Sequence, residues 1–202
     1  MKLILITSPT YFVEEDKIIT ALFEEGLDIL HLRKPNTAPM FAERLLTLIP
    51  EQYHKRIVVH GHFYLKEEYR LKGIHLSSRN PHAPEAYRGH VSYSCHSLEE
   101  IKECKRNFDY VFMSPVFDSI SKQNYHSAYT SEDIRKAHKA GIIDKKVIAL
   151  GGIDTDNIIE VKDYGFGGAA ILGALWNRFD VCGDRGYQQL IEHFKKLKKL
   201  AD

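Results

Sequence analysis

The sequence lacks the features that mark membrane proteins and disulfide-rich secreted proteins. It contains no apolar stretch approaching the roughly 18 residues of a membrane-spanning helix. The apolar run at Leu3–Ile6 is too short for the core of a signal peptide. The three cysteines, Cys95, Cys104 and Cys182, are odd in number and form no CxxC pattern, so we expect reduced thiols without a role. These absences predict a cytoplasmic protein.

An excess of charge of either sign is also lacking. The chain has 28 Lys and Arg residues against 27 Asp and Glu residues, a formal net charge of +1. Its one dense run of lysines, Lys195–Lys199, is interpreted as the solvated end of a helix. A small-molecule partner is therefore expected, with no nucleic acid and no membrane. No linker, repeat or low-complexity segment divides the chain, so we expect one domain over residues 1–202.

What the sequence does contain is a regular alternation of short apolar runs with amphipathic stretches. Continuous apolar runs of this length are typical of buried parallel strands. They predict eight strands, at Leu3–Thr7, Asp28–Leu32, Arg56–His60, Gly73–Leu76, Val91–Cys95, Asp109–Met113, Val147–Leu150 and Gly168–Leu172. The predicted fold class is therefore α/β, a single (β/α)8 TIM barrel. Because such barrels typically take about 250 residues, this 202-residue chain should have short loops.

The amphipathic stretches between these runs predict helices. They lie at Glu14–Glu25, Pro39–Leu48, Tyr64–Leu71, Ser97–Arg106, Ser131–Ala140, Thr155–Tyr164 and Tyr187–Leu200. Ser97 and Ser131 are predicted N-caps because acidic residues follow them. The segment Ser77–Pro84 leaves room for only a reduced helix after strand four. One open α/β sheet remains an alternative to the barrel.

The last two predicted strands both end in glycine, and each opens a helix. Backbone N–H groups in such turns can approach an anion closely, as at the phosphate site after strands seven and eight of many barrels. The predicted phosphate-binding residues are Gly151, Gly152, Ile153, Gly173 and Ala174. In the alternative interpretation, the glycines only permit tight turns.

Polar residues follow the other predicted strands, where a barrel places its chemistry. They include His31 with Arg33 and Lys34, then His60 and His62, and later His96. A long segment after strand six carries Ser119, Ser121 and Lys122, which could close over a phosphate, and His126. The alternative for this segment is a solvent loop, and each histidine alone is more often structural than catalytic.

Several of these motifs, in this order, resemble the thiamine-phosphate synthase family, including its TenI-like thiazole tautomerase branch. A QLREK- or HIRER-like motif stands at His31–Pro35, and a GVHLGQ-like motif at Gly73–Ser78. A serine and histidine follow strand five at Ser94–Ser97, and a GPVFPTxTK-like loop stands at Ser114–Lys122. The likeness covers nearly the whole chain.

The resemblance implies an enzyme that couples a thiazole phosphate with hydroxymethylpyrimidine diphosphate to give thiamine phosphate. If coupling occurs, we expect Lys122 and Arg33 to carry the diphosphate. Together with Lys34, they could compensate for the family's basic residue that Pro35 replaces. Ser94, His96, Ser119 and Ser121 would bind and position the substrates. His31 and His126 are candidate catalytic residues. The chain could also form a homodimer.

The resemblance also implies Mg²⁺, which the family holds with an Asn-Asp pair after strand three and an Asp after strand four. Here His60-Gly61 and Asn80 stand at those positions. Mg²⁺ is possible by resemblance. The carboxylates that this cation prefers as ligands are absent at these positions. No HxH or HxxxH spacing beyond His60-Gly61-His62 supports a transition-metal site, so we predict no metal ligand. Zn²⁺ or another transition metal held by the histidines at the strand ends is the alternative.

Three alternatives to coupling remain. A thiazole tautomerase would suit His31, but that branch's catalytic histidine is replaced here by Pro115. Its general acid or base would then be His126 or another histidine near the strand ends. A non-catalytic protein that binds a thiamine precursor would keep only the phosphate site. A sugar-phosphate isomerase would need paired carboxylates, which the predicted strand ends lack.

A Lys122→Ala substitution should lower turnover far more than it lowers thiazole-phosphate affinity, because Lys122 is assigned to the departing diphosphate. Steady-state kinetics and a titration with thiazole phosphate measure the two quantities. An equal loss of both would contradict this role.

Overall fold

The computed structural model describes residues 1–118, 129–179 and 187–202. Eight parallel strands pair in chain order, and pairing of the last with the first closes a barrel. The strands are β1 Lys2–Ile6, β2 Ile29–Leu32, β3 Ile57–Val59, β4 Gly73–Leu76, β5 His90–Cys95, β6 Tyr110–Met113, β7 Val147–Leu150 and β8 Gly168–Ile171. The predicted TIM barrel is confirmed, and the strand bounds differ from the predicted ones by one residue at most.

Helices follow most of the strands. They are α1 Glu15–Glu24, α2 Pro39–Leu48, α3 Leu65–Glu68, α4 Leu98–Cys104, α5 Ser131–Lys139, α6 Ile158–Asp163, α7 Gly173–Trp176 and α8 Gln188–Ala201. Short 3-10 helices at Glu51–Arg56 and Lys105–Asn107, and the four-residue α7, were not predicted. Residues 77–89, between β4 and β5, contain no helix, whereas a short helix was expected there.

The predicted N-caps differ in outcome. Ser97 caps α4 by accepting the N–H of Glu100 at 3.1 Å, as expected. The prediction of Ser131 as the cap of α5 is wrong. Thr130 caps this helix, and Asp133 closes a reciprocal capping box with it. Threonine and serine are both good caps, so sequence alone could not choose between neighbours.

The strands carry two separate apolar layers because successive side chains point to opposite faces. Leu3 and Leu5 face the helices, where a large buried cluster lies. The alternating residues face the barrel interior and form a smaller cluster of Ile4, Ile6, Ile29, Val58, Tyr110, Phe112, Ile148 and Ala170. This interior is packed with side chains, so a ligand must bind at one end of the barrel. None of the described helices has the length and apolar character to cross a membrane.

Asp154 fixes the connection after β7. Its Oδ1 atom lies 2.8 Å from Nε2 of His193 on α8, and its Oδ2 atom accepts a 2.8 Å hydrogen bond from Arg178. Burial alone raises the pKa of Asp154, but hydrogen bonds from Arg178, the Thr155 N–H and His193 hold that pKa below its ordinary value. The carboxylate therefore ties the β7 end of the barrel to the C-terminal helix.

An Asp154→Asn substitution should destabilise the protein by roughly 1–2 kcal/mol at neutral pH, because it weakens charge-assisted hydrogen bonds. A carboxylate with a lowered folded-state pKa stabilises the fold above its unfolded pKa, and this stabilisation is lost as the pH falls through the folded-state value. The difference from wild type should therefore shrink below about pH 4. Urea unfolding across pH measures it.

The matched control is Asp156→Asn, two residues along the chain, since Asp156 is exposed. It should leave the unfolding free energy unchanged. A constant difference between wild type and Asp154→Asn from neutral to strongly acidic pH would contradict the assigned charge role.

Candidate active site

A cavity of about 480 Å³ opens at the carboxyl ends of the strands. One wall is formed by backbone after β7 and β8, and the facing wall carries histidine, serine and arginine side chains. Barrels place their chemistry at this end because the loops that follow all eight strands converge there. The cavity is therefore the candidate active site.

The backbone wall consists of two neighbouring turns. Gly151 and Gly152 have φ values of 100° and 67°, a left-handed conformation that favours glycine. The side-chain amide of Asn157 holds this turn by donating to the Gly152 carbonyl oxygen at 2.8 Å. Gly173 and Ala174 begin α7 beside it.

Four N–H groups of this wall, those of Gly152, Ile153, Gly173 and Ala174, donate to no protein acceptor among the described residues. All four residues line the cavity. Unpaired N–H groups that face a cavity present partial positive charge, which suits an anion such as a phosphate.

Gly152 also allows a close approach of the segment after β6. A Cβ atom at this position would collide with the carbonyl oxygen of Asp118 and with Phe117. The same segment is joined to the β7 end through hydrogen bonds from Val116 N–H to Leu150 O at 3.0 Å and from Phe117 N–H to Gly151 O at 3.2 Å. Glycine is therefore required here by both conformation and packing.

Beneath the opposite wall lies a hydrogen-bonded chain of aromatic side chains. His31 is fully buried, and its Nδ1 atom lies 2.8 Å from Nε2 of His60. Its Nε2 atom lies 2.5 Å from the hydroxyl oxygen of Tyr110. Each nitrogen of the His31 ring therefore has a partner.

His75 on β4 adds a third imidazole to this region. Its Nδ1 and Nε2 atoms each lie 2.8 Å from a serine hydroxyl oxygen, of Ser92 and Ser94 respectively. The ring stacks on His60 with a centroid separation of 4.2 Å and an interplanar angle of 26°. His60, His75 and Ser94 line the cavity, whereas His31 lies below it.

All three imidazoles are held neutral by their surroundings. Burial is the main cause that lowers the pKa of His31, and the nearby imidazoles of His75 and His90 lower this pKa further. Burial likewise lowers the pKa of His60, with smaller contributions from neighbouring His75, His31 and Arg33. For His75, burial followed by the charge of Arg33 lowers the pKa to about 3. These rings therefore carry no positive charge at neutral pH.

The positive charge of the cavity comes instead from Arg33 and Arg79. Burial, and then the charge of Arg79, lowers the pKa of the Arg33 guanidinium, which still stays protonated at neutral pH. In the described part of the chain neither guanidinium forms an ion pair with a carboxylate. Two cations without a fixed counter-charge make this mouth attractive to a polyanion.

The structure brings many of the predicted site residues together. Arg33, Ser94 and His96 line the cavity with the five predicted phosphate-binding residues Gly151, Gly152, Ile153, Gly173 and Ala174. His31 lies beneath the cavity rather than in its lining. Ser119, Ser121, Lys122 and His126 lie outside the described residues.

Two residues at the predicted strand ends point elsewhere. Lys34 forms a buried ion pair with Glu15, at 2.5 and 2.7 Å from its two carboxylate oxygens, so its charge is not offered to the cavity. His62 is exposed, and its Nε2 atom lies 3.1 Å from the carbonyl oxygen of Thr37. The prediction that Lys34 would add positive charge at the substrate site is therefore wrong.

Sequence reasoning missed His75 and Arg79 as candidate site residues. His75 is on β4 at the same inward parity as the interior residues of the other strands, so strand alternation could have identified it. Arg79 lies in the helix-free segment after β4, where no periodicity predicts which side chains face the cavity.

The lining of the cavity does not fit the Mg²⁺ that the resemblance implies. Among the described lining residues there is no aspartate and no glutamate. Neutral imidazoles and arginines cannot replace anionic oxygen ligands for this hard cation. The described lining of this cavity therefore offers no carboxylate to Mg²⁺.

Comparison with known proteins places the chain in a family. A family model described as thiamine monophosphate synthase matches residues 3–175. A thiamine-phosphate synthase of Actinobacillus succinogenes is 29% identical over 149 residues, which cover 70% of this chain and 66% of that protein. One from Archaeoglobus fulgidus is 28% identical over 129 residues, which cover 62% of this chain and 60% of that protein. The chain thus spans less than two thirds of the length of these relatives.

A solved structure extends the likeness to almost the full chain. The thiamine phosphate pyrophosphorylase from Bacteroides thetaiotaomicron is 66% identical and superimposes with a TM-score of 0.93. The match covers 99% of this chain and 97% of that one. With the family model matched from residue 3 to residue 175, the chain belongs to the thiamine monophosphate synthase family.

Proposed function

We propose that this protein is a thiamine-phosphate synthase that joins a thiazole phosphate to hydroxymethylpyrimidine diphosphate. The observation that carries the proposal is a set of four N–H groups, of Gly152, Ile153, Gly173 and Ala174, that have no acceptor among the described residues. These residues line a cavity that also contains two guanidinium groups without an ion pair in the same part of the chain. One anion-binding place is thereby available for each phosphorylated substrate.

The thiazole phosphate binds at the backbone wall. The turns after β7 and β8 supply N–H donors, and the Asp154 hydrogen bonds to α8 and Arg178 keep the β7 turn in place. A preformed set of donors reduces the ordering cost of binding. The phosphate thus fixes the thiazole ring over the barrel opening.

The pyrimidine diphosphate binds toward Arg33 and Arg79. Negative charge develops on the diphosphate as the bond between its oxygen and the methylene carbon of the pyrimidine breaks. Fixed cations stabilise that charge. Arg33 is partly buried, so its interaction with the leaving group is less screened than that of exposed Arg79. Lys122, Ser119 and Ser121 are proposed to complete this site from the segment after β6.

A direct assay tests the proposal. The purified chain is incubated with thiazole phosphate and hydroxymethylpyrimidine diphosphate, with and without Mg²⁺, and thiamine phosphate is measured. We expect product. A parallel assay with carboxythiazole phosphate that alone gives product would identify a tautomerase. If neither assay gives product while thiazole phosphate still raises the melting temperature, the chain would be identified as a binding protein.

Arg33→Ala should lower kcat/KM for the pyrimidine diphosphate roughly 100-fold, because a charge-assisted contact that strengthens in the transition state is lost. Thiazole-phosphate affinity should change little. Arg44→Ala is the matched control, since Arg44 is exposed on α2. Equal kinetics in the two variants would remove Arg33 from the diphosphate site.

Gly152→Val should abolish thiazole-phosphate binding, because a side chain there displaces the segment after β6 and strains the turn that carries the N–H donors. Calorimetry with thiazole phosphate measures the binding, and the melting temperature reports folding. Gly61→Val is the control, because a Cβ at Gly61 would meet nothing within 4 Å. Normal binding by a folded Gly152→Val protein would place the phosphate elsewhere.

A further inference from the structure

We propose that His31, His60 and His75 form a binding site for a borderline transition-metal cation such as Zn²⁺ at the floor of the cavity. The three residues come from the ends of β2, β3 and β4, which are consecutive strands of the barrel. The sequence predicts no metal ligand, because no HxH or HxxxH spacing beyond His60-Gly61-His62 supports one, and it leaves Zn²⁺ held by histidines only as an alternative that does not include His75. The proposal does not depend on the coupling reaction.

The geometry brings one ring nitrogen of each histidine into a small volume. Three such atoms lie within 4.8 Å of one another, and the Nδ1 atom of His31 is 2.8 Å from Nε2 of His60. In a tetrahedral Zn²⁺ site with Zn–N bonds of about 2.0–2.1 Å, neighbouring ligand atoms are about 3.3 Å apart. Binding requires the stacked rings of His60 and His75, whose centroids are 4.2 Å apart, to turn so that both in-plane lone pairs point at one ion.

Two ligands have hydrogen-bond partners on the side away from the proposed ion. The Tyr110 hydroxyl bonds Nε2 of His31, which leaves Nδ1 to face His60. Ser92 bonds Nδ1 of His75, and Nε2, on the cavity side, bonds the Ser94 hydroxyl, which a bound cation would replace. Outer partners of this kind orient metal-ligating imidazoles and fix their tautomers.

The surroundings leave one side of the site open. The ring of Phe112 covers His31 and His75 from the interior, at centroid distances of 4.7 and 5.0 Å. His60 and His75 reach the cavity itself. A bound cation would thus have three protein ligands and a fourth position toward the cavity, for water or a ligand oxygen. Imidazole ligands favour Zn²⁺, Co²⁺, Ni²⁺ or Cu²⁺ over Mg²⁺.

Cobalt binding tests the proposal on the full chain. Protein stripped with a chelator is titrated with Co²⁺ while visible absorption is recorded, and Zn²⁺ is then added as competitor. We expect one Co²⁺ per chain with the intense bands of tetrahedral cobalt, displaced by Zn²⁺ and unaffected by millimolar Mg²⁺. The absence of saturable binding would overturn the proposal.

Variants assign the ion to the histidines. His60→Ala should weaken Co²⁺ binding at least 100-fold or so, and Tyr110→Phe about 10-fold, because the first removes a ligand and the second an orienting partner. His62→Ala is the matched control, since His62 is exposed and hydrogen-bonds to Thr37. Wild-type affinity in a folded His60→Ala protein would overturn the site.

A measurement on the unmodified protein guards against variants that fail to fold. X-ray absorption of the Zn²⁺-loaded chain should show three imidazole ligands at about 2.0–2.1 Å. Fewer than three imidazoles would contradict the proposed ligand set, whatever the variants do.

Discussion

Closure of the sheet by pairing of β1 with β8 is the constraint on which the rest of the structure depends. Once the sheet is closed, every second side chain of each strand points into a space already filled by its neighbours. A ligand therefore has to bind outside the filled interior, and the cavity lies at the carboxyl ends of the strands. The turns after β7 and β8 are adjacent because these two strands pair directly, although a helix separates them in sequence.

The cavity at this end has two chemically different halves. The β7–β8 half offers backbone N–H groups, whose direction is set by the conformation of the two turns and depends on glycine at Gly152. The β2–β5 half offers neutral imidazoles and hydroxyls, with Arg33 and Arg79 above them. The first half and the guanidiniums carry positive charge that suits an anion, whereas the neutral imidazoles of the floor offer nitrogen lone pairs.

Local patterns determined how much the sequence could predict. Short apolar runs alternating with amphipathic stretches located all eight strands, and Pro39 located the start of α2. The glycines after β7 and β8 likewise identified the backbone wall. Contacts between distant segments were not predictable in this way. The pairing of Lys34 with Glu15 and of His75 with Ser92 depends on packing across the fold.

The polar floor under the cavity has a consequence for how the molecule can vary over evolution. In an aliphatic barrel layer, a residue can be exchanged for one of similar volume at little cost. Here His31 links His60 to Tyr110, and losing any one of them leaves a buried polar atom unsatisfied, at about 1–3 kcal/mol. Single replacements are therefore penalised, and the floor is expected to be inherited or exchanged as a block.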